Sequence, residues 1–573
     1  MERTENRSAP GHRGDDLVQQ AAENAFGQNV LNDFRPGDLI DSAKTLAKQA
    51  ATHPAALLRG YAGLLGELTK VISGASELVP EAGDKRFADP AWKDSKIHGT
   101  WLQAYLALGE SMKRYAKNAG LDPQAAERAT FLMSQISDAL APTNFLAGNP
   151  AALKRAIDTG GKSLLKGLQN FLDDVSKGRP VPSQVNERPF KVGENLAATP
   201  GSVVLRTEMF ELLQYAPQTE QVRQRPLLVV PSIVNKYYAA DLAPERSFFE
   251  HIVKSGITLF VMVWRNPRPE HDHWGMEAYW DSIDAAIGAV QEITGVEDPN
   301  LFTVCGAGPV VISLAGYYAA RQERKINSLL LIVSVLDATG LQQAQGVGAF
   351  MDPELTKRMK RIPKKGRVSA KEFTLLFAML RPNELIWNYW VNNYLMGNDP
   401  PTFDVLYWNA DGTGMTAAFN RDFGAMVEDN KLVTPGAMAV HGTPISDIAT
   451  LDFDTYVIGA ATDHICVWPA VYRSAQLLGE RAQFVLANSG HVQTIVCPPG
   501  NPKSHYFVNP VKPATSEEWL KGATKQPGTW WDHVVAWWTE RSGPLVAAPA
   551  ASGSKRHTPL GKAPGTYVLD RAG

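Results

Sequence analysis

The hydrophobic pattern of this chain changes period once, near residue 180. Before that point apolar residues recur every three or four positions, as in 39–50, 101–119 and 150–176, with Gly and Pro clusters between segments. That spacing gives each segment one apolar face and predicts a series of α-helices. The stretch Gly-Arg-Pro-Val-Pro-Ser-Gln-Val at 178–185 reads as a linker. After it, short continuous apolar runs take over, at 202–206, 209–215, 226–231, 257–264, 300–304, 328–335, 455–459 and 483–486. Helical spacers separate several of them. Continuous apolar strands alternating with helices predict an α/β domain, a mainly parallel sheet covered on both faces. Between 338 and 449 the strand rhythm stops in a segment rich in Met, Trp, Tyr and Phe, which reads as a cap inserted over the sheet. The expected organisation is a disordered 1–16, a helical domain at 17–195, an α/β domain at 196–573 with the cap at 338–449, and a tail at 547–573. The tail's Ala/Ser/Pro/Gly-rich part, up to 562, reads as flexible.

Composition adds bounds. A length of 573 residues suits two domains, and 44% apolar with 20% charged residues suits a sizeable core. The net charge of −2 offers no basic footprint for nucleic acid. The cysteines are Cys305, Cys466 and Cys497, an odd and sparse set that fits a reducing compartment better than a disulfide framework. The N-terminal stretch 1–16 has no apolar signal core, and no run approaches the ~18 apolar residues of a membrane span. These features lead to the expectation of a soluble cytoplasmic protein.

The chemistry concentrates around Cys305. The apolar run 300–304 ends at Cys305, Gly306 follows at once, and 310–321 is helix-like. Strand, tight turn and helix make a nucleophile elbow, here with sulfur at the tip. The elbow also aims the N–H of Gly306 at an incoming carbonyl oxygen. The rival reading of Cys305 is a buried structural thiol. Downstream, the run 455–459 leads to Asp463, and 483–486 leads to His491. Nucleophile, acid and base in that order, each past the carboxyl end of a strand, predict an α/β-hydrolase fold with Cys305, Asp463 and His491 as one constellation. His491 would take the thiol proton, and Asp463 would orient the imidazole. Asp463 also suits a helix N-cap, and His464, Asp337 and Asp241 are weaker alternatives as the acid. A second oxyanion donor belongs in the loop after an early strand, at Ile233 or Val234. A cysteine nucleophile forms thioesters, which suits acyl transfer from coenzyme A. No phosphate-binding loop is present. His271 and His273 lie close together without an evident third ligand and read as solvated loop residues.

With these residues in place, the chain resembles the polyhydroxyalkanoate synthases, most closely the class II type acting on medium-chain substrates. The resemblance runs from about Leu17 to Arg571. It is carried by Arg-Phe-Ala-Asp-Pro-Ala-Trp at 86–92, the run Arg-Pro-Asn-Glu-Leu-Ile-Trp-Asn-Tyr-Trp at 381–390, Phe-Asp-Val-Leu-Tyr-Trp-Asn at 403–409, Asp-His-Ile at 463–465 and Asn-Ser-Gly-His-Val-Gln at 488–493. It implies an acyltransferase that takes (R)-3-hydroxyacyl groups from coenzyme A onto Cys305 and joins them into a polyester, with coenzyme A thioester as substrate and no cofactor. It implies Asp463 as acid, His491 as base and His464 as the histidine after the acid. Trp408, with Trp387, Trp390, Phe403 and Tyr407, would line or cover an acyl channel. A homodimer at the surface of intracellular polymer granules, with granule-associated proteins as possible partners, is implied too. Three positions depart from the family pattern. Thr303 and Ala307 stand where the elbow has glycines, and Asn420 stands where a histidine is common. The departures keep open a catalytically weak or inactive paralogue that binds granules or an active synthase, and the shared fold and triad keep open a thioesterase or depolymerase.

Overall fold

The structure, a computed structural model, describes residues 54–81, 83–118, 120–121, 123–339 and 366–571. The segment 1–16, the helix expected at 39–50 and the cap residues 340–365 lie outside the described residues.

The strands in chain order are β1 (Gly201–Arg206), β2 (Phe210–Tyr215), β3 (Gln221–Arg223), β4 (Leu227–Val230), β5 (Leu259–Trp264), β6 (Asn300–Val304), β7 (Ser328–Ile332), β8 (Ala439–Val440), β9 (Thr443–Pro444), β10 (Asp454–Ala460), β11 (Ala482–Ala487), β12 (His505–Val508), β13 (Thr524–Pro527), β14 (Leu545–Ala547) and β15 (Gly561–Lys562). An 11-stranded sheet has the order β13-β12-β11-β10-β7-β6-β4-β5-β2-β1-β15. Its central strands β11, β10, β7, β6, β4 and β5 run parallel. The strands at both margins pair antiparallel. β4, β6 and β7 are buried along their whole length, because helices cover both faces. The C-terminal helix Trp530–Arg541 seals one face. Its Trp531 stacks on Phe248 at 4.8 Å, and Trp538 meets Phe302 of β6 at 6.3 Å. Short β3, β12, β13, β14 and β15 escape the sequence pattern, because partly exposed edge strands lack a continuous apolar run.

The tail departs from its composition. β14 pairs with β3, and β15 adds a strand beside β1. One contact is with Glu211 on β2, which is wholly buried and also pairs with Arg206 at 2.6 Å. Its carboxylate accepts from the N–H of Thr566 at 2.8 Å and of Tyr567 at 3.0 Å. Within the stretch expected to be flexible, the N–H of Ala548 donates to the Glu220 carbonyl at 3.0 Å, that of Gly553 to Gln214 Oε1 at 2.6 Å and that of Leu560 to the Val203 carbonyl at 2.8 Å, so the tail packs along the sheet edge.

The N-terminal region is helical, with helices Pro54–Ser73, Lys96–Lys117, Pro123–Ala139, Pro150–Asp158 and Lys162–Ser176. It docks on the cap. Trp390 donates to the Asn144 carbonyl at 3.1 Å, Tyr394 donates to Asp174 at 2.7 Å, and Gln184 donates to the Leu385 carbonyl at 2.9 Å. The stretch 178–185 is therefore a packed strap, with Gln184 and Val185 buried. Helix Lys162–Ser176 approaches the cap at Gly167, where an added Cβ would strike the Tyr394 carbonyl. Gly167→Ala is expected to cost about 1–3 kcal/mol, as overpacking does. Gly66→Ala, in a helix with open space around it, should be neutral or slightly stabilising. Denaturant unfolding of both variants checks this; equal effects would contradict it.

Candidate active site

Parallel strands place their exit loops along one edge of the sheet, and the three candidate residues meet there. Cys305 leaves β6, Asp463 follows β10 and His491 follows β11. Cys305 has φ of 53°, a left-handed value that L residues rarely adopt. Its N–H donates to the Ile332 carbonyl at 2.9 Å, and its own carbonyl accepts from the Gly308 N–H at 2.9 Å and from Ser334 Oγ at 3.0 Å. Helix Ala307–Ala320 then starts with Gly306 flanking it, so the Gly306 N–H lies at the positive end of the helix dipole.

The departures at 303 and 307 find space. Thr303 lies within β6, in register with Val230 and Leu331, where a β-branched residue is at ease. Its hydroxyl is buried without a hydrogen-bond partner. Ala307 is the first, fully buried residue of the helix. The close approach falls one residue later. A Cβ on Gly308 would stand 2.7 Å from Ser334 Cβ, so glycine is required there. Asn420, on helix Ala417–Glu428, donates to the Gly366 carbonyl at 3.0 Å within the cap.

Asp463 serves both of its possible roles at once. Oδ1 accepts from the N–H of Ile465 at 2.9 Å and of Cys466 at 3.0 Å, which caps the turn. Oδ2 accepts from His491 Nδ1 at 2.6 Å, which fixes the ring and leaves Nε2 toward the sulfurs. The carboxylate is fully buried. Burial by itself would push the His491 imidazolium down. The charges of Asp463 and Cys305 and hydrogen bonds to both outweigh it, and hold His491 up at about 10. A protonated imidazole beside Cys305 favours its thiolate. The Sγ atoms of Cys305 and Cys466 and a ring nitrogen of His491 all lie within 4.8 Å of one another. The hydrogen bond to Cys305, followed by burial, keeps the Cys466 thiol protonated far above its ordinary range. The sequence reading passed over Cys466; its place three residues after Asp463 in the turn was the available signal.

The remaining candidates have distinct places. Burial, then the charge of Arg381 in the cap, pushes His464 down to about 4, so it stays neutral. Ile233 and Val234 are buried in the loop after β4, the strand that pairs with β6. Trp408 braces this loop: its indole N–H donates to the Lys236 carbonyl at 2.7 Å. Lys236 itself pairs with Asp411 at 2.8 Å. Trp390 faces the N-terminal helices. Asp241 is occupied by Thr199, Ser247 and Tyr215, and Asp337 by Thr339 and Asn430, so neither serves His491. His271 is buried and stacked on Trp274 at 4.0 Å, which corrects its reading as a solvated residue.

A cysteine on an elbow with an imidazole and a carboxylate is the arrangement of a nucleophile site in an α/β-hydrolase fold. The alpha/beta hydrolase fold family matches residues 226–498, and the family described as poly-beta-hydroxybutyrate polymerase (PhaC) N-terminus matches 83–252. Poly(3-hydroxyalkanoate) polymerase 1 of Ectopseudomonas oleovorans is 43% identical, over 97% of this chain and 99% of its own length. Poly(3-hydroxyalkanoate) polymerase 2 of the same organism is 42% identical over 95% of this chain. The polymerase subunit of Cupriavidus necator is 36% identical over 87% of this chain and 85% of its own length. The chain belongs to the poly(3-hydroxyalkanoate) polymerase family.

Asp463→Asn removes the largest of the influences that oppose burial at His491. The thiolate of Cys305 should then form less readily, and its iodoacetamide alkylation at pH 7 should slow at least about tenfold, with the pH profile displaced upward. Mass analysis of the Cys305 peptide checks this. An unchanged profile would show that Asp463 does not set the charge of His491.

Proposed function

We propose that this chain polymerises (R)-3-hydroxyacyl groups from coenzyme A thioesters into a polyhydroxyalkanoate and releases coenzyme A. The reading rests on the Cys305–His491–Asp463 cluster at the elbow of a chain that matches the named polymerases along almost its whole length. In loading, His491 already holds the proton that Cys305 gave up, and the Cys305 thiolate attacks the thioester carbonyl carbon. The oxyanion meets the Gly306 N–H, with Ile233 or Val234 in the neighbouring loop as the second donor. The intermediate collapses, the coenzyme A sulfur leaves with the proton of His491, and Cys305 carries the acyl group. In elongation, His491 accepts the proton of a 3-hydroxyl, whose oxygen attacks an acyl thioester. An ester forms and a thiol is regenerated. The thioester supplies the driving force, so the proposal includes no resident cofactor.

Among the described residues no helix is long and apolar enough to cross a membrane. Helix Lys162–Ser176 nevertheless exposes Leu165, Leu168, Leu172 and Val175, spaced for one face. That stripe supports placement of the protein at the apolar surface of its own product. The homodimer belongs to the same proposal.

Purified protein should release coenzyme A from (R)-3-hydroxybutyryl-CoA or (R)-3-hydroxydecanoyl-CoA and precipitate polymer. Cys305→Ala should lower release at least about a thousandfold, since such sites act as a unit. Free hydroxy acid without polymer would favour a thioesterase, and a folded protein with no release would favour a non-catalytic granule partner. Asp463→Asn should slow elongation more than the first acylation, as read by single-turnover and steady-state coenzyme A release. Equal loss in both steps would confine Asp463 to orienting the ring.

A further inference from the structure

We infer that Cys305, Cys466 and His491 form a buried site for a thiophilic divalent cation of the zinc type, and that its occupancy opposes acylation of Cys305. The ligand atoms lie within 4.8 Å of one another, and all three residues are buried. Zinc bonds of about 2.0–2.3 Å in a tetrahedron place ligand atoms about 3.3–3.8 Å apart, so a modest contraction completes the site. The imidazole is already arranged as a metal ligand. Its Nδ1–H is held by Asp463 at 2.6 Å, which presents Nε2 to the sulfurs, the carboxylate–histidine arrangement that supports bound zinc. The same carboxylate accepts from the N–H of Cys466 at 3.0 Å, so one group positions two of the three ligands. Cys466 has no part in the acyl-transfer scheme, and it supplies the sulfur that turns a cysteine–histidine pair into a three-ligand site.

Charge balance favours the same ligand class. Binding displaces the proton of Cys466 and the proton that His491 holds for Cys305, His491 binds through a neutral Nε2, and two thiolates cancel the dication. Two sulfurs and one nitrogen select zinc, cadmium or cobalt over magnesium or calcium. A fourth position stays open for water. A metal-bound Cys305 sulfur shares electron density with the cation and is a weaker nucleophile, and His491, held as a ligand, cannot serve as its base. Binding therefore opposes acylation. Because protons leave on binding, affinity rises with pH.

The inference does not depend on the polymerase reading, because binding is read on the resting protein. The full-length, chelator-treated protein is titrated with Co²⁺ under anaerobic conditions, and sulfur-to-cobalt charge-transfer absorption is followed. Zn²⁺ is then added as competitor. One equivalent of cobalt should give the absorption, and zinc should abolish it. Cys466→Val and Cys466→Ser should each bind at least about tenfold more weakly, since loss of a ligand costs no less than loss of an outer-shell partner. Cys497, half-buried and beside Ser504, provides the control; Cys497→Ser should bind unchanged. Circular dichroism establishes that each variant is folded, and the isosteric serine variant keeps the test valid if valine disturbs packing. Zinc should also slow coenzyme A release in proportion to occupancy, with recovery on chelation. Absence of charge-transfer absorption in the wild type, undiminished affinity in both Cys466 variants, or its loss in Cys497→Ser would each overturn the inference. If no coenzyme A is released under any condition, the cobalt titration still decides the site.

Discussion

The backbone turn at Cys305 is the constraint on which the rest of the site depends. A non-glycine residue in the left-handed region costs on the order of 1–3 kcal/mol and persists only where its surroundings over-determine it. Here β7 does so. It takes the Cys305 N–H at Ile332, and Ser334 just beyond it holds the Cys305 carbonyl. Gly308 lets the following helix settle against Ser334. The strain lifts the thiol above the sheet edge and leaves the Gly306 N–H at the start of a helix. Thr303 and Ala307 are compatible with this turn because neither occupies the point of closest approach.

A second dependence runs through Asp463. A buried carboxylate must be fully hydrogen-bonded, and this one divides its oxygens between its own turn and His491. The division couples the loop after β10 to the loop after β11. It also helps set the charge of the imidazole, since the carboxylate is the largest of the influences that act against burial and favour the protonated ring. Cys466 is drawn into the cluster by the same turn. Its neighbour Ile465 is wholly buried, which anchors the turn in the core.

The site is bounded by parts distant in sequence. Trp408 and Lys236 bind the cap to the loop after β4. The Lys236 ammonium also donates to the Val568 carbonyl at 2.6 Å, so the C-terminal segment supports the same loop. The cap run 383–395, wound in wide π-type turns, meets the N-terminal helical region and the 178–185 strap on its other side through Trp390, Asn393 and Tyr394. The aromatic residues there fasten the N-terminal region to the cap, a role that aromatic content alone does not distinguish from lining a channel.

The local pattern of the chain determined a good deal. Runs such as 257–264 and 328–335 announced buried strands because a parallel sheet covered on both faces needs continuous apolar residues; the second ends early, at Ile332, where β7 gives way to the turn that holds Cys305. Cys305, Asp463 and His491 were legible because each follows such a strand in the order this fold imposes. Other features were decided only by tertiary structure. Cys466 reaches Cys305 because β10 lies beside β7, which lies beside β6, and that adjacency is a matter of sheet order and not of sequence distance. The tail is held by partners far away in the chain, β1, β3 and the buried carboxylate of Glu211. Periodicity reports which face of an element leaves water, whereas the partner that covers it is chosen by long-range packing and by the need to pair every buried charge.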